Sequence, residues 1–272
     1  MKYESVPTMT LPKIGFGTWR IGGDSYRDHS RDVRSLFALH SALESGYTHF
    51  DTAEIYAGGH SEELIGQAIR ETKTERESVI ITSKVHPRHL DYEDVLKSCE
   101  ASLHRLKMDY LDLYLIHWPS ARMKLAETFR ALNKLVREGK VHHLGVSNFN
   151  LKLLKESQSL SETPIITNQV PYSLTNRSYA KNDVLEYCQQ NELILTAYSP
   201  VNEGGLKVDQ VLRSVAEAHG VTPYQIALAW LVAQPRVIAI PMSFNPQHIK
   251  ENFASVDIEL TKEELKTLSK LW

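Results

Sequence analysis

The chain has 272 residues, of which 42% are hydrophobic and 24% are charged, so it is neither disordered nor fibrous in composition. Its 31 basic and 33 acidic side chains leave a formal net charge of −2. This balance argues against a general affinity for nucleic acid or for an anionic membrane. No apolar run reaches the roughly 18 residues of a spanning helix, and the N-terminal segment MKYESVPTMTLP has no hydrophobic signal core. These features predict a cytoplasmic protein that binds neither nucleic acid nor membrane.

The cysteines and histidines form no recognisable metal-binding pattern in the sequence. Cys99 and Cys188 lie in helix-like segments without paired spacing, which favours buried thiols in a reducing compartment. The 12 histidines include no HExxH motif. His142 and His143 are adjacent in a strand-like run, so their side chains are expected on opposite faces. The sequence therefore predicts no metal site.

Eight β-rich runs alternate with amphipathic segments along the chain. Several of these runs are nearly continuous in apolar residues, as are strands that are buried on both faces of a parallel sheet. The predicted strands are Ile14–Thr18, Thr48–Asp51, Val79–Lys84, Leu111–His117, Val141–Val146, Ile165–Gln169, Leu193–Tyr198 and Val237–Pro241.

Helix-start signals occur between and after these strands. Thr222-Pro223 and Asn245-Pro246 each combine a capping side chain with proline at the first helical position. Thr261 followed by Glu264 has the spacing of a capping box.

The alternation predicts a single domain over residues 1–272 with the fold of an α/β (β/α)8 TIM barrel. A doubly wound open sheet is the alternative, but its GxGxxG fingerprint is absent, because Gly15-Phe16-Gly17 is followed by Thr18-Trp19-Arg20. The segment Val6–Pro12 is predicted to form a short hairpin that closes the barrel bottom. In this fold the active site lies at the C-terminal face of the strands.

Polar side chains follow most of the predicted strands. The motifs around them are, in order from Ile14 to Asn252, GFGTW, HFDTAEIY, TSKV, YLDLYLIHWP, GKVHHLGVSNF, NQVPYSL, AYSP and PMSFNPQHIKEN. Together these motifs resemble those of the aldo-keto reductases, in particular prokaryotic-like members with short loops. The resemblance implies an enzyme that reduces aldehydes and ketones with NADPH or NADH, bound without a Rossmann domain. It also implies four catalytic positions, which are Asp51, Tyr56, Lys84 and His117.

The chemistry of carbonyl reduction suits these four residue types. Tyr56 would protonate the carbonyl oxygen, and Lys84 would favour the phenolate and so lower the tyrosine pKa. Asp51 would pair with Lys84, and His117 would orient the carbonyl by a hydrogen bond. Taken alone, each residue also fits a structural role: Asp51 as a turn cap, Tyr56 as a packed aromatic ring, Lys84 as part of a barrel salt bridge and His117 as a core histidine. Their joint occurrence with matching flanks favours catalysis.

The resemblance also implies cofactor and substrate contacts. Ser147, Asn148 and Gln169 would bind the nicotinamide carboxamide, Tyr198 would stack on the ring, and Ser199 would touch the pyrophosphate. The predicted cofactor-binding residues are Gly17, Thr18, Trp19, Asp51, Ser147, Asn148, Gln169, Tyr198, Ser199, Pro200, Val201, Met242, Ser243, Phe244, Asn245, His248, Glu251 and Asn252. The predicted substrate-binding residues are Trp19, Tyr56, His117 and Trp118.

Two positions depart from the family pattern. Many members carry a lysine and, six residues later, an arginine that together bind the 2′-phosphate of NADP, whereas Met242 and His248 stand here. The loss of charge-assisted contacts predicts weaker NADPH binding and use of NADH. The short connection from Ser120 to Leu125 predicts an open pocket that accepts varied small carbonyl compounds.

Two other functions fit parts of this pattern. Potassium-channel β-subunits resemble the same family, so a cofactor-binding regulatory subunit is the alternative. A metal- or phosphate-dependent barrel hydrolase or isomerase is a third hypothesis, but it leaves the pairing of Tyr56 with Lys84 unexplained. The predicted partner is a small carbonyl substrate, and the predicted assembly is a monomer or weak oligomer.

Overall fold

The structure is a computed structural model that describes residues 1–271, so Trp272 of the predicted domain lies outside the described residues. Eight parallel strands form one curled sheet, and the two strands before them form an antiparallel hairpin. The strands are β1 Tyr3–Val6, β2 Met9–Pro12, β3 Phe16–Gly17, β4 His49–Asp51, β5 Ile80–Val85, β6 Leu111–Ile116, β7 Val141–Ser147, β8 Ile165–Pro171, β9 Ile194–Tyr198 and β10 Val237–Ala239.

The helices lie between and after these strands. They are α1 Asp32–Glu44, α2 His60–Glu71, α3 Tyr92–Leu106, α4 Leu125–Arg137, α5 Leu151–Leu160, α6 Ser178–Lys181, α7 Val184–Gln190, α8 Gln210–His219, α9 Pro223–Val232, α10 Pro246–Ala254 and α11 Lys262–Leu268. Capping boxes begin α9 at Thr222 and α11 at Thr261, and the Asn245 side chain caps α10.

The sheet closes on itself between its first and last strands. Ile14 pairs in parallel with Ala239, the Gly15 amide donates to the Ala239 carbonyl over 2.9 Å, and the Ala239 amide donates to the Lys13 carbonyl over 2.9 Å. The predicted (β/α)8 barrel is therefore confirmed. All eight predicted strands are present, although β3 and β10 are shorter than the runs Ile14–Thr18 and Val237–Pro241.

The hairpin begins earlier than the predicted segment Val6–Pro12, because β1 starts at Tyr3 and pairs it with Pro12. The sequence has no apolar pattern that indicates this strand, because only Val6 of its four residues is buried. Glu4 fixes the hairpin to the barrel bottom: it accepts from Lys13 Nζ over 2.5 Å and from the Arg236 amide over 3.1 Å.

Two apolar clusters hold the barrel together. The smaller one fills the barrel interior with side chains such as Leu113, Leu115 and Ile166, and the hairpin contributes Leu11 to it. The larger one lies between the strands and the surrounding helices, and it contains both Cys99 and Cys188. Both thiols are free and buried, as predicted. Among residues 1–271, no helix combines the length and apolar character that crossing a membrane requires.

Helices α2 and α3 pack so closely that only glycine fits at one contact. A Cβ at Gly66 would lie 2.2 Å from the Leu106 carbonyl oxygen, which is backbone and cannot rotate away. Helix propensity alone favours alanine over glycine by about 1 kcal/mol. The steric clash opposes this preference and is the larger effect.

We therefore expect Gly66→Ala to destabilise the protein by about 1–3 kcal/mol, as overpacking does. Urea unfolding measures this change, and Gln67→Ala at the adjacent half-buried position is the matched control. A Gly66→Ala protein as stable as the wild type would show that the two helices separate without cost.

Candidate active site

A cavity of about 890 Å³ opens at the C-terminal ends of the barrel strands. This volume is within the range of small-molecule and cofactor sites. Most of the predicted site residues line it: Gly17, Thr18, Trp19, Asp51, Tyr56, His117, Trp118, Ser147, Gln169, Tyr198, Ser199, Pro200, Val201, Met242, Ser243, His248, Glu251 and Asn252. Lys84 lies behind this lining, and Asn148, Phe244 and Asn245 are also set back from it.

The floor of the cavity contains a fully buried ammonium group. Lys84 Nζ donates to Asp51 Oδ1 over 2.5 Å, to the Thr52 carbonyl over 2.8 Å and to the Tyr56 hydroxyl over 3.3 Å. Asp51 ends β4 and Lys84 lies near the end of β5, and the parallel register of these two strands brings their side chains together. The structure thus unites three of the four predicted catalytic residues.

The electrostatics of this group favour a charged lysine beside a protonated phenol. Burial alone would lower the pKa of Lys84, but Asp51 and then Tyr56 outweigh it, so the net direction is upward. Burial raises the pKa of Tyr56, while Lys84 acts in the opposite direction. The lowering predicted from Lys84 is thus present, but burial exceeds it. At neutral pH the Tyr56 hydroxyl therefore carries its proton.

His117 follows β6 and lies against Tyr56, with their ring centroids 5.5 Å apart. Trp118 stacks on the other side at 3.9 Å. Burial, then Lys84 and His86, lowers the pKa of His117 to about 2, so the imidazole is neutral. Its Nδ1 is buried without a partner. Because a buried N–H is rarely left unpaired, this geometry favours the tautomer that carries hydrogen on Nε2.

A chain of amide and hydroxyl groups connects the ends of β4, β7, β8 and β9. Gln169 Nε2 donates to Asp51 Oδ2 over 2.7 Å, so both Asp51 oxygens are engaged. Asn148 donates to the His117 carbonyl over 3.1 Å and accepts from the Tyr198 hydroxyl over 2.9 Å. Asn148 adopts a positive φ of 64°. The predicted carboxamide-binding residues therefore meet beside the catalytic group.

The far end of the cavity is formed by residues around the start of α10. Met242, Ser243 and His248 line it, whereas the Asn245 side chain accepts the Gln247 amide over 2.9 Å. Phe244 is not part of the cavity lining, and the Arg34 guanidinium lies 4.4 Å from its ring centroid. The predicted adenosine-end residues are thus gathered at one place, with His248 exposed.

Sequence reasoning missed several residues of this site. Arg20 and Glu203 both line the cavity and form an ion pair at 3.2 Å across it, although 183 positions separate them. Nothing in the sequence signalled this pairing, because each residue lies in an irregular loop. The missed lining residues include Arg20, Glu203, Gly204, Thr222, Pro223 and Tyr224.

An ion pair with a buried carboxylate supports the cavity floor from behind and was also missed. Glu62, on α2, accepts from the Ser83 hydroxyl over 2.5 Å and from Arg105 Nε over 2.6 Å. Ser83 precedes Lys84 on β5, and α2 begins four residues after Tyr56. Glu62 thus ties the segment that carries Tyr56 to the strand that carries Lys84.

The fold and the site define a barrel of the oxidoreductase type with a buried lysine beside a tyrosine hydroxyl at the cavity floor, and the comparisons with known proteins assign the class. The model of the Aldo/keto reductase family matches residues 13–272. Methylglyoxal reductase YeaE from Escherichia coli is 37% identical over 270 residues, covering 97% of this chain and 92% of that protein. Glyoxal reductase from Bacillus subtilis is 35% identical over 261 residues, covering 96% and 89%.

Solved structures give the same result. The thermostable aldo-keto reductase Tm1743, determined with the inhibitor epalrestat, superposes with a TM-score of 0.96 at 44% identity and full coverage of both chains. An aldo/keto reductase from Klebsiella pneumoniae, determined with NADP and acetate, gives 0.87 at 38% identity, covering 97% of this chain and 92% of that one.

The chain belongs to the aldo/keto reductase family, and it is an NAD(P)H-dependent oxidoreductase that reduces carbonyl groups. The comparisons give no support to the alternative of a channel-associated regulatory subunit.

Proposed function

We propose that this protein, as a single domain, reduces short aldehydes and ketones to alcohols with Tyr56 as the proton donor. The observation that carries the proposal is the contact of Lys84 Nζ with both Asp51 and Tyr56 at the cavity floor. A salt bridge alone would not need a tyrosine hydroxyl that faces a cavity. The metal- or phosphate-dependent alternatives leave this hydroxyl without a role.

The residues around the cavity fit a nicotinamide dinucleotide. Ser147, Asn148 and Gln169 offer the donors and acceptors that a carboxamide requires, and the Tyr198 ring is beside them at the wall. When bound, the reduced dinucleotide supplies a hydride to the carbonyl carbon. The chain itself supplies the proton, because the Tyr56 O–H bond breaks as the new O–H bond of the alcohol forms.

Lys84 and His117 have separate roles in this proposal. Lys84 stabilises the phenolate that Tyr56 becomes after it gives up its proton. His117 is neutral, so it orients the carbonyl oxygen through Nε2–H and is not the acid. Asp51 holds Lys84 in place and offsets the cost of burying its charge.

The pocket mouth favours small and varied substrates. Trp19 and Trp118 line the cavity and remain 41% and 39% exposed, so they offer accessible apolar walls at its mouth. The connection between β6 and α4 is short, from His117 to Lys124. The relatives named for methylglyoxal and glyoxal reduction act on small dicarbonyl compounds, and we propose that class for this chain.

For the cofactor, we propose that NADH is used at least comparably to NADPH. Met242 offers no charge to a 2′-phosphate, and His248 replaces an arginine. Arg236 is not a substitute, because it binds Glu4 at the opposite end of the barrel. The related Klebsiella structures contain NADP and NADPH, so the difference would be a property of this chain's own residues.

Tyr56→Phe keeps the aromatic ring and removes only the proton donor. We expect kcat for methylglyoxal to fall by about 10²–10⁴-fold while the Kd for the reduced cofactor stays within about twofold. Steady-state kinetics and fluorescence titration measure these changes. The matched control is Tyr114→Phe, since the Tyr114 hydroxyl is buried without a partner outside the cavity. A Tyr56→Phe enzyme with more than about a tenth of the wild-type kcat would rule out Tyr56 as the acid.

Lys84→Met removes the cation that lowers the Tyr56 pKa and leaves Asp51, which raises it. We expect a nearly inactive enzyme whose residual reduction persists to higher pH, because reduction needs protonated Tyr56. The pH profile of kcat tests this shift. Lys13→Met, which removes a buried lysine at the barrel bottom, should leave the profile unchanged. If the Lys84→Met enzyme is active and its kcat falls at the same alkaline pH as that of the wild type, the role of Lys84 in lowering the Tyr56 pKa is contradicted.

The double variant Met242→Lys, His248→Arg should shift the ratio of kcat/KM toward NADPH by about a hundredfold, since two charge-assisted contacts are worth about 3 kcal/mol. The ratio is measured with both cofactors at fixed ionic strength, because salt screens phosphate contacts. Gln247→Arg, which adds a charge to α10 outside the cavity lining, is the control. A wild-type preference for NADPH of a hundredfold or more would contradict the proposal. Arg34 would then be the next residue to test as a partner of the 2′-phosphate.

A further inference from the structure

Three metal-binding side chains meet outside the active-site cavity, at the N-terminal ends of α1 and α2. They are His29, Asp32 and His60, and their candidate ligand atoms all lie within 4.8 Å of one another. His60 Nε2 is 2.7 Å from Asp32 Oδ1, and His29 Nδ1 is 2.9 Å from Asp32 Oδ2. Because His60 is 28 positions from Asp32, the cluster does not correspond to a short sequence motif.

We propose that this cluster binds one divalent transition-metal ion of the zinc class through His29 Nδ1, the Asp32 carboxylate and His60 Nε2. Two imidazoles and one carboxylate suit such ions, whereas Mg²⁺ and Ca²⁺ prefer oxygen ligands alone. Metal–ligand bonds of about 2.0–2.2 Å in a tetrahedral site place the ligand atoms about 3.3 Å apart. To reach this geometry the two His–Asp contacts lengthen by about half an ångström, and the two imidazole nitrogens, which lie within 4.8 Å of each other, take up a similar separation.

A partner on the far side of His60 supports this assignment. His60 Nδ1 is 2.7 Å from Glu63 Oε2, and Arg27 donates to Glu63 Oε1 over 2.7 Å. Metal-bound histidines usually donate their second ring N–H to a carboxylate, which orients the ring and directs the other nitrogen to the ion. Glu63 holds Nε2 of His60 toward Asp32 and His29 in this way.

Charge and access are also suitable for a cation. The N-termini of α1 and α2 carry partial positive charge, which opposes a cation, and the carboxylates of Asp32 and Glu63 offset it. The His60 side chain is only 5% exposed, whereas His29 is 66% exposed. The buried ligand is therefore fixed, and the exposed one leaves a path for the ion and for a water molecule as fourth ligand.

Close packing of the preceding loop fixes His60 further. Gly22 has a φ of +77°, and a Cβ there would lie 2.8 Å from His60 Cδ2. The loop that covers His60 begins after Trp19 and Arg20, which line the cavity, and α2 follows Tyr56. An ion at this site would join these two segments and raise the melting temperature of the protein.

The alternative is a metal-free cluster in which His60 is held by hydrogen bonds to Asp32 and Glu63 alone. Zinc titration of chelator-treated full-length protein by calorimetry distinguishes the two. We expect one equivalent of Zn²⁺ to bind with a Kd of about 1 µM or lower, a higher melting temperature with Zn²⁺, and no effect of Mg²⁺. Co²⁺ should give the visible absorption of a low-symmetry site with nitrogen and oxygen ligands.

Three variants locate the ion. His29→Gln changes an exposed side chain, so the fold is retained, and we expect at least a tenfold loss of Zn²⁺ affinity. Glu63→Gln leaves the three ligands intact and should weaken binding by about 10–100-fold. His104→Gln removes an exposed histidine of α3 and should change nothing. Absence of stoichiometric binding to the wild type, or equal affinity in His29→Gln and His104→Gln, would overturn the proposal in favour of the metal-free hydrogen-bonded cluster.

Discussion

The buried ammonium of Lys84 is the constraint on which the site depends. A charge without solvent contact is costly unless it is paired and hydrogen-bonded, and Lys84 is fully buried. Asp51, the Thr52 carbonyl and Tyr56 surround it. These partners hold the chain after β4 against β5, so the same contacts that make the charge tolerable place the Tyr56 hydroxyl at the cavity floor.

A second buried lysine shows why position in the barrel decides the consequence. Lys13 pairs with Glu4 and with the carbonyls of Gln234 and Val237, yet burial is the larger effect and lowers its pKa. At Lys84 the combined effect of Asp51 and Tyr56 exceeds burial and raises it. The first pair fastens the hairpin at the barrel bottom, whereas the second lies directly behind the cavity at the top, whose lining includes its partners Asp51 and Tyr56.

The remaining polar groups extend from this centre around the barrel rim. Asp51 also accepts from Gln169, whose carbonyl accepts from the Ser147 hydroxyl, and Ser147 in turn accepts from Asn148. Asn148 extends the chain to the Tyr198 hydroxyl and the His117 carbonyl. Each group restricts the orientation of the next. A site of this kind is preorganised by hydrogen bonds between strand ends, which is the condition for electrostatic catalysis without large rearrangement.

The sequence by itself determined the eight barrel strands, the helix caps at Thr222, Asn245 and Thr261, and the four catalytic candidates. Strands buried on both faces are continuous apolar runs, and capping depends on residues only three apart, so both are local signals. Only the tertiary structure decided three other features: the first hairpin strand, the Arg20–Glu203 ion pair and the contact of His60 with Asp32. Their members are weakly patterned or distant along the chain, and only the packing of loops and helices around the closed barrel brings such side chains together.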